Sequence, residues 1–208
     1  MILNNFVVFE GIDGAGTSTQ LKILQERPES AKIDFSAEPT SFETGKFLRS
    51  VLGGKVSLDP RTTAYLFAAD RAEHVYGEHG IENSLKNGKA VIIDRYIFSS
   101  LAYQGVSCGK ELPRMLNKEF PLPQLLFFFD IDPEKSLERI KSRGVTEIYE
   151  NNEYLTNTRK QYLDVIEEYK NLASAKGMNI VMIDATQSVE EISKIVWSHI
   201  AKLPIFNS

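Results

Sequence analysis

A glycine-rich stretch near the start of the chain, FEGIDGAGTSTQ, has the residue types and spacing of a site for phosphate groups. Glycines at positions 11, 14 and 16 allow the backbone to curl so that several N–H groups point into one concavity. Hydroxyl side chains follow, and the helix that they begin directs the positive end of its dipole to the same concavity. The stretch therefore predicts a loop that binds nucleotide phosphates, and its members are Gly11, Asp13, Gly14, Ala15, Gly16, Thr17, Ser18 and Thr19.

One position of this loop departs from the pattern G-x-x-x-x-G-K-[ST]. Gly11, Gly16 and Ser18 stand at its fixed positions, but Thr17 occupies the place of the lysine. That lysine normally brings a point charge to the transferring phosphates, whereas a threonine offers only a hydroxyl group. A plain turn between a strand and a helix is the alternative interpretation, but the apolar run Phe6–Phe9 and the helical pattern that follows favour a phosphate loop.

The elements that must position the loop alternate between apolar runs and helical patterns. Alternation of this kind predicts an α/β fold in which helices cover both faces of a parallel sheet. Ligands of such sheets bind beyond the carboxyl ends of the strands, so the residues after each strand are candidates for a site. The predicted strands are Phe6–Phe9, Lys32–Ser36, Ala90–Asp94, Gln124–Asp130 and Asn179–Ile183.

Charged residues follow three of these strands. Glu38 comes after the second strand, and Asp94 and Arg95 stand at the end of the third. A salt-bridged turn is the structural alternative for the Asp94–Arg95 pair, although charged residues at strand ends more often line a site. Asp132 and Pro133, after the fourth strand, are better explained as the N-cap and first-turn proline of a helix.

The helix predicted from Pro60 onwards carries Phe67 and, one turn later on the same face, Arg71. Two interpretations are open: a surface arginine over a core phenylalanine, or a ring that stacks on a base beside an arginine that hydrogen-bonds to it. His74 follows in the same helix. Because no second histidine or cysteine stands at ligand spacing, we expect His74 to be packed or solvated rather than to bind a metal.

A shorter pattern, Gly45–Val51, predicts a second helix with one apolar and one basic face. Its apolar face would hold Phe47, Leu48 and Val51, and Arg49 would lie on the opposite face.

Composition and charge narrow the class of protein. The chain of 208 residues is within the size of one domain, and its net charge of −4 argues against a general nucleic-acid-binding surface. Its one cysteine, Cys108, excludes an internal disulfide framework and fits a reducing compartment. No apolar run approaches the ~20 residues needed to cross a bilayer, so we expect a cytoplasmic protein that binds neither nucleic acid nor membrane.

Five segments together are typical of one family: Phe9–Thr19, Glu38-Pro39, Leu66–His74 (LFAADRAEH), Asp94–Gly105 (DRYIFSSLAYQG) and Leu126–Gly144 (LFFFDIDPEKSLERIKSRG). They resemble the thymidylate kinases, a family of P-loop nucleoside-monophosphate kinases. The resemblance covers nearly the whole chain and implies a three-layer α/β/α fold with a central five-stranded parallel sheet. It also implies a single domain over residues 1–208, a short lid over about residues 139–152, and a homodimer.

The reaction that the resemblance implies is ATP-dependent phosphorylation of dTMP to dTDP with Mg²⁺. Phosphoryl transfer requires mainly that two anionic phosphates be placed in line and their charge offset, and arginines suit this task. By resemblance, Phe67 would stack on the pyrimidine, Arg71 and Gln104 would bind the base edge, and Arg49 and Arg95 would hold the 5′-phosphate. The remaining residues implied for dTMP are Asp13 near the 3′-hydroxyl, Glu38, Ser99, Ser100 beside the base, and Tyr103 beside the sugar, where it would disfavour a ribose.

For the donor, the resemblance implies Mg²⁺ beside Ser18, Glu38 and Asp94. Arg139 and Arg143 match basic positions of the lid helix that would close over ATP. The residues implied in the catalytic step itself are Asp13, Asp94, Arg95 and Arg143.

The departures from the family pattern fall on the donor side. Thr17 replaces the loop lysine, Ala37 replaces an arginine before Glu38, and Ile148 stands where a lid arginine is common. Two alternatives to a thymidylate kinase therefore stay open: a degenerate kinase that binds a deoxynucleotide without efficient transfer, and a deoxynucleoside kinase. The two acceptor arginines weigh against the second, because a nucleoside brings no phosphate for them.

Overall fold

The computed structural model of the protein describes residues 1–141 and 151–207. Within them, five strands form one sheet whose neighbouring strands are all parallel. The strand order β2-β3-β1-β4-β5 places the first strand at the centre, and helices flank the sheet, which confirms the predicted α/β/α class. The strands are β1 (Ile2–Gly11), β2 (Ile33–Ala37), β3 (Ala90–Asp94), β4 (Leu122–Asp130) and β5 (Asn179–Asp184).

The first strand is longer than its apolar core predicts. Ile2 pairs with Leu122 of β4, and the register shifts before pairing resumes at Val7. Asn5, which has a positive φ of 59°, lies within this irregularity, and its backbone N–H donates to Gln124 Oε1 at 2.7 Å. The polar interruption hid the first half of the strand from a pattern based on apolar runs.

Helices connect the strands as the alternation predicts. A π-helical segment, Ser100–Gln104, joins α5 to α6, and such segments are frequent at functional sites. Among the helices of the described ranges, none has the length and apolar character that a bilayer crossing requires. The helices are α1 (Thr17–Gln25), α2 (Glu43–Leu52), α3 (Pro60–Tyr76), α4 (Ile81–Lys86), α5 (Ile97–Ser99), α6 (Gly105–Cys108), α7 (Glu111–Asn117), α8 (Pro133–Lys141), α9 (Asn152–Asn171) and α10 (Val189–Ile200).

The core is centred on β1 and β4. Phe6, Phe9, Phe127 and Phe129 are fully buried there, as expected of central strands covered on both faces. The rings of Phe9 and Phe127 meet edge to face with centroids 5.3 Å apart, a favoured aromatic geometry. This packing fixes the carboxyl end of β1, from which the glycine loop begins.

Local predictions for the helices are mostly confirmed. The Asp132 side chain accepts the backbone N–H of Glu134, so it caps the start of α8. In α2, Leu48 and Val51 are buried, but Phe47 is 44% exposed, so the prediction of an inward-facing Phe47 is wrong. The buried side of α2 is centred on Gly45, Leu48 and Leu52, and a step of one residue turns a helix by about 100°, so Phe47 lies at the margin of that side, next to Val51.

Candidate active site

The carboxyl ends of β1, β2 and β3 open onto one cavity of about 290 Å³. This is the edge of a parallel sheet where a ligand site is expected. The sequence-predicted site residues that line the cavity are Asp13, Gly14, Gly16, Thr17, Ser18, Glu38, Arg49, Phe67, Asp94, Arg95, Ser99, Tyr103 and Gln104. The described residues that were predicted for the site but do not line the cavity are Gly11, Ala15, Thr19, Arg71, Ser100 and Arg139. Arg143 and Ile148 lie outside the described residues.

The glycine loop has the backbone conformation that its sequence predicts. Gly14 and Gly16 adopt φ values of 79° and 99°, a region that favours glycine. A Cβ on Gly14 would also lie 2.8 Å from the backbone oxygen of Ser136, so the loop packs closely against α8. The first turn of α1 has no side-chain cap, the arrangement in which backbone N–H groups bind a phosphate.

Ser18 and Asp94 meet at the floor of the cavity. The Ser18 hydroxyl donates to Asp94 Oδ2 over 2.6 Å. Asp94 Oδ1 is buried and has no hydrogen-bond partner among the described residues, and leaving a buried acceptor unpaired costs about 1–3 kcal/mol. This donor set fits Mg²⁺, which is usually held by one or two carboxylates together with waters and substrate phosphates.

The positive charge that a loop lysine would supply is absent from position 17. Thr17 lines the cavity with its hydroxyl-bearing side chain. Arg139 of α8 approaches the loop from outside the cavity, where it donates to the backbone oxygens of Ala185 at 2.9 Å and Gly14 at 3.5 Å. In this arrangement Arg139 contacts the loop but does not take the place of the lysine.

Arg95 and Asp13 form an ion pair beside the loop. Arg95 Nη2 lies 2.6 Å from Asp13 Oδ1, so the salt-bridged turn considered for Asp94 and Arg95 is not formed. The Tyr103 hydroxyl donates to Asp13 Oδ2 and accepts the Asp13 backbone N–H, each at 3.0 Å. Burial and the nearby Asp13 carboxylate hold the pKa of Tyr103 well above its usual value, so its hydroxyl keeps the proton that it donates.

The backbone of Arg95 is itself unusual. Its φ of 72° is rare for a residue with a side chain, and its N–H bonds to the Phe9 carbonyl of β1 at 2.8 Å. Nη1 donates to the Gly11 carbonyl at 3.0 Å. Although burial opposes its charge, Tyr103 and Asp13 are among the groups that raise the pKa of Arg95 well above its usual value. Non-glycine residues in such conformations concentrate at functional sites.

A carboxylate missed by the sequence prediction lies beneath Arg95. Glu10 is fully buried within β1, and burial raises its pKa from 4.5 to about 7, against the opposing influence of Ser99, Arg95 and Tyr162. The signal was present in the sequence, because an acidic residue inside an otherwise apolar central strand requires partners.

A second wall of the cavity carries Phe67 of α3 and Gln104 of the π-helical segment. Phe67 is half-buried, so its ring can pack against a ligand while the helix supports it. Gln104 is buried, and its Oε1 has no partner within the described part of the chain. An aromatic face and an unpaired amide oxygen together suit a planar ligand with a hydrogen-bond donor on its edge.

Arg71 and Ser100 hydrogen-bond to each other and do not line the cavity, and their predicted contacts to the base stay predictions. Arg71 is 1% exposed and, instead of lining the cavity, donates to Glu38, Ser100 and Asn117 and to the Tyr96 carbonyl. These acceptors occupy the guanidinium on both of its terminal nitrogens. The spacing correctly placed Arg71 near Phe67 but could not reveal how deep it lies.

Glu38 lines the cavity and pairs with Arg71 and His74. Its Oε2 accepts from Arg71 at 2.6 Å, and its Oε1 lies 3.0 Å from His74 Nδ1. Both oxygens are engaged in this arrangement, and a place for Glu38 beside Mg²⁺ stays a prediction. His74 is buried and also contacts the Ser36 hydroxyl at 2.8 Å, which agrees with a packed histidine.

Helix α3 also holds the segment that follows Glu38. The buried carboxylate of Asp70 accepts the backbone N–H and the hydroxyl of Thr40, at 2.8 and 2.6 Å, and the hydroxyl of Thr44. Arg49 of α2 donates to the Pro39 carbonyl. The sequence analysis did not identify Asp70, because a polar residue in an amphipathic helix carries no mark of its partners.

Three features meet at this cavity: a glycine loop that opens a helix, a serine–aspartate pair suited to Mg²⁺, and a wall that carries arginine. Together they are typical of a P-loop phosphotransferase. The family model for thymidylate kinase matches residues 9–196.

Relatives agree with that match. A putative thymidylate kinase of Treponema pallidum is 43% identical over 201 residues, which cover 96% of each chain. A probable thymidylate kinase of Methanocaldococcus jannaschii is 35% identical, over 98% of this chain and 100% of its own. A probable thymidylate kinase of Methanococcus aeolicus is 37% identical, over 92% of this chain and 93% of its own. The chain belongs to the thymidylate kinase family and is a nucleotide kinase.

Proposed function

We propose that the protein phosphorylates dTMP to dTDP with ATP as the phosphate donor. The observation that carries this proposal is the Arg95–Asp13 ion pair, which lies on the same 290 Å³ cavity as the glycine loop. The loop is suited to the donor phosphates, and Arg95 is suited to the phosphate of an acceptor. A monophosphate that already carries negative charge needs no general base to become a nucleophile.

Two halves of the cavity have separate tasks in this proposal. The acceptor half consists of Asp13, Arg49, Phe67, Arg95, Tyr103 and Gln104. The donor half consists of Gly14, Gly16, Thr17 and Ser18 of the loop, with Asp94, and Arg139 contacts the loop from outside the cavity. Mg²⁺ held by Ser18 and Asp94 would offset charge on the donor phosphates when ATP is bound.

Selectivity for a thymine base would come from the second wall. Phe67 would stack on the pyrimidine, which by itself accepts any base. Gln104 Oε1 is buried without a partner among the described residues, and it would accept an N–H group of the base. A ligand that leaves such a polar group unpaired binds much more weakly, so this contact would give selectivity. Tyr103, held against Asp13, would limit the room at the sugar.

A degenerate kinase is the second candidate function, and Thr17 favours it. A coupled assay that follows ADP, with ATP, Mg²⁺ and one of dTMP, dUMP, dCMP, dGMP or thymidine, separates the candidates. The proposal predicts turnover with dTMP and much less with the others. No turnover combined with tight calorimetric binding of dTMP would identify the degenerate kinase, and preferred turnover of thymidine would identify a nucleoside kinase.

We also propose a homodimer, as the resemblance implies. Phe47 of α2 and Tyr65 of α3 are 44% and 53% exposed on two helices that pack against each other. Large exposed rings are common at protein interfaces. Light scattering of the wild type should give twice the chain mass, and Phe47→Lys should shift the protein toward the monomer. A monomeric wild type would contradict the proposal.

A further inference from the structure

The carboxylate of Glu10 collects four hydrogen bonds directly beneath Arg95. Glu10 Oε1 accepts the backbone N–H groups of Tyr96 at 2.8 Å and Ser99 at 3.2 Å. Glu10 Oε2 accepts the hydroxyl groups of Ser99 at 2.6 Å and Tyr162 at 2.8 Å. Glu10 does not line the cavity, so nothing in the proposed reaction uses it directly.

The two hydroxyl groups connect Glu10 to Arg95. Arg95 Nη1 lies 3.2 Å from Ser99 Oγ and 3.4 Å from Tyr162 Oη. A hydroxyl group has one proton and two acceptor positions. Ser99 Oγ and Tyr162 Oη also lie 2.8 Å apart, so the hydroxyl protons are shared within this cluster, and the remaining oxygen lone pairs can accept from the guanidinium.

The guanidinium is therefore held on two sides. Asp13 contacts Nη2 from the cavity side, and the cluster built on Glu10, with the Gly11 carbonyl, contacts Nη1. A planar fork whose two nitrogens are both fixed has its orientation set before a ligand arrives, and this lowers the entropic cost of binding a phosphate.

We propose that Glu10 is a positioning residue that holds Arg95, through Ser99 and Tyr162, in the orientation that binds the acceptor phosphate. The inference rests on the proposed function, since it assumes that the acceptor brings a phosphate to Arg95. It predicts that Glu10 affects binding of the acceptor phosphate and not of the base or the sugar.

Glu10→Gln tests this with little change of volume. The amide retains one oxygen acceptor in place of the carboxylate pair, so the hydroxyl groups lose their common acceptor and Arg95 loses its support. Isothermal calorimetry should show dTMP binding weakened about tenfold or more, as expected for a loosened charge-assisted contact, with thymidine binding unchanged. The KM for dTMP should rise by a similar factor, with the KM for ATP unchanged.

Two further sets of variants exclude a general loss of structure. Asp130→Asn is the matched control, because it removes a carboxylate paired with Arg159 away from the cavity. It should lower the melting temperature and leave the ratio of dTMP to thymidine affinity unchanged. The double variant Ser99→Ala with Tyr162→Phe keeps Glu10 and should reproduce the fall in that ratio.

A double-mutant cycle completes the test. In an Arg95→Lys background, Glu10→Gln should have little additional effect on dTMP affinity, because the residue that it positions has been replaced. An unchanged ratio in Glu10→Gln, or equal weakening of dTMP and thymidine, would overturn the inference and leave Glu10 a structural residue. If the wild type binds thymidine as tightly as it binds dTMP, that result would instead overturn the proposed function.

Discussion

The acceptor and donor halves of the cavity differ in how their charges are held. In the acceptor half, Arg95 is fixed by Asp13, Ser99 and Tyr162 before any ligand binds. In the donor half, the loop offers backbone N–H groups and Ser18, but Thr17 brings no charge. A preorganised acceptor site beside an incompletely charged donor site indicates that binding of dTMP and transfer of phosphate depend on different parts of the molecule.

The expected effect of the missing lysine on the rate of phosphate transfer is large enough to test this contrast. Removal of one preorganised donor from a transition state typically costs ~3–4 kcal/mol, or about 10²–10³ in rate. Arg139 lies near the loop through the Gly14 carbonyl but does not line the cavity. The comparison therefore predicts large losses on the acceptor side and a gain from restoring charge on the donor side.

The largest effect is expected from Arg95→Ala. Loss of the guanidinium removes the contact to the acceptor phosphate and takes away the ion-pair partner of Asp13, so kcat/KM for dTMP should fall by about 10³-fold or more. Steady-state kinetics of ADP formation measures this fall. Arg159→Ala, which breaks a similar ion pair with Asp130 away from the cavity, serves as control. A loss below tenfold in Arg95→Ala would remove Arg95 from the acceptor role.

The buried Glu10 should make stability depend on pH. Its pKa is about 7 in the folded protein against 4.5 unfolded, so between these values the folded state holds a proton that the unfolded chain has released. The free energy of unfolding should therefore fall as pH rises through this interval, by up to about 3 kcal/mol, since each pKa unit corresponds to ~1.4 kcal/mol.

Urea denaturation of the wild type and Glu10→Gln at several pH values between 4.5 and 8 measures this dependence. The free energy of unfolding of the wild type, relative to that of Glu10→Gln, should be greater at lower pH. Parallel pH profiles would mean that Glu10 does not titrate in this range, although its hydrogen bonds could still position Arg95.

Thr17→Lys should sharpen the contrast from the donor side. A lysine ammonium at the position that the family pattern gives it would increase kcat for dTMP phosphorylation by about 10–100-fold, part of the full effect of a preorganised donor. Thr17→Met, which has a long side chain without charge, is the control and should not increase kcat. An unchanged kcat in Thr17→Lys would mean that another cation already serves the donor phosphates.

A loss smaller than that of Arg95→Ala is expected from Tyr103→Phe. The change removes the hydroxyl that bonds to Asp13 but keeps the ring whose centroid lies 5.2 Å from the Arg95 guanidinium carbon. One hydrogen bond to a charged group contributes about 1.5–3 kcal/mol, so kcat/KM for dTMP should fall by roughly 10–100-fold, less than in Arg95→Ala. A fall as large as that of Arg95→Ala would give Tyr103 a larger role than support of Asp13.

The sequence predicted the sheet and most of the cavity lining because both depend on local patterns. The bounds of β3 agree with the predicted run, and the spacing of Gly11, Gly16 and Ser18 was sufficient to identify the loop. Strand ends of a parallel sheet share one edge, so Asp94 and Arg95 followed from topology.

What the sequence could not predict depends on distant partners. The burial of Arg71 against Glu38 joins residues 33 positions apart, and the hydrogen bond of Tyr162 to Glu10 joins residues 152 positions apart. Helical spacing indicates which side chains share a face, but neither their depth nor their acceptors. The roles predicted for Arg71 and Glu38 stay predictions, and Glu10 was missed because its partners are distant in the sequence.

Calorimetric affinities of the wild type for dTMP and thymidine, without ATP, test the central claim most directly. The two ligands differ only by the phosphate, so their ratio measures the preorganised acceptor half without any contribution from the donor half. The account predicts that dTMP binds about 100-fold or more tightly than thymidine, with most of this preference lost in Arg95→Ala. Equal affinity for the two ligands in the wild type would contradict it.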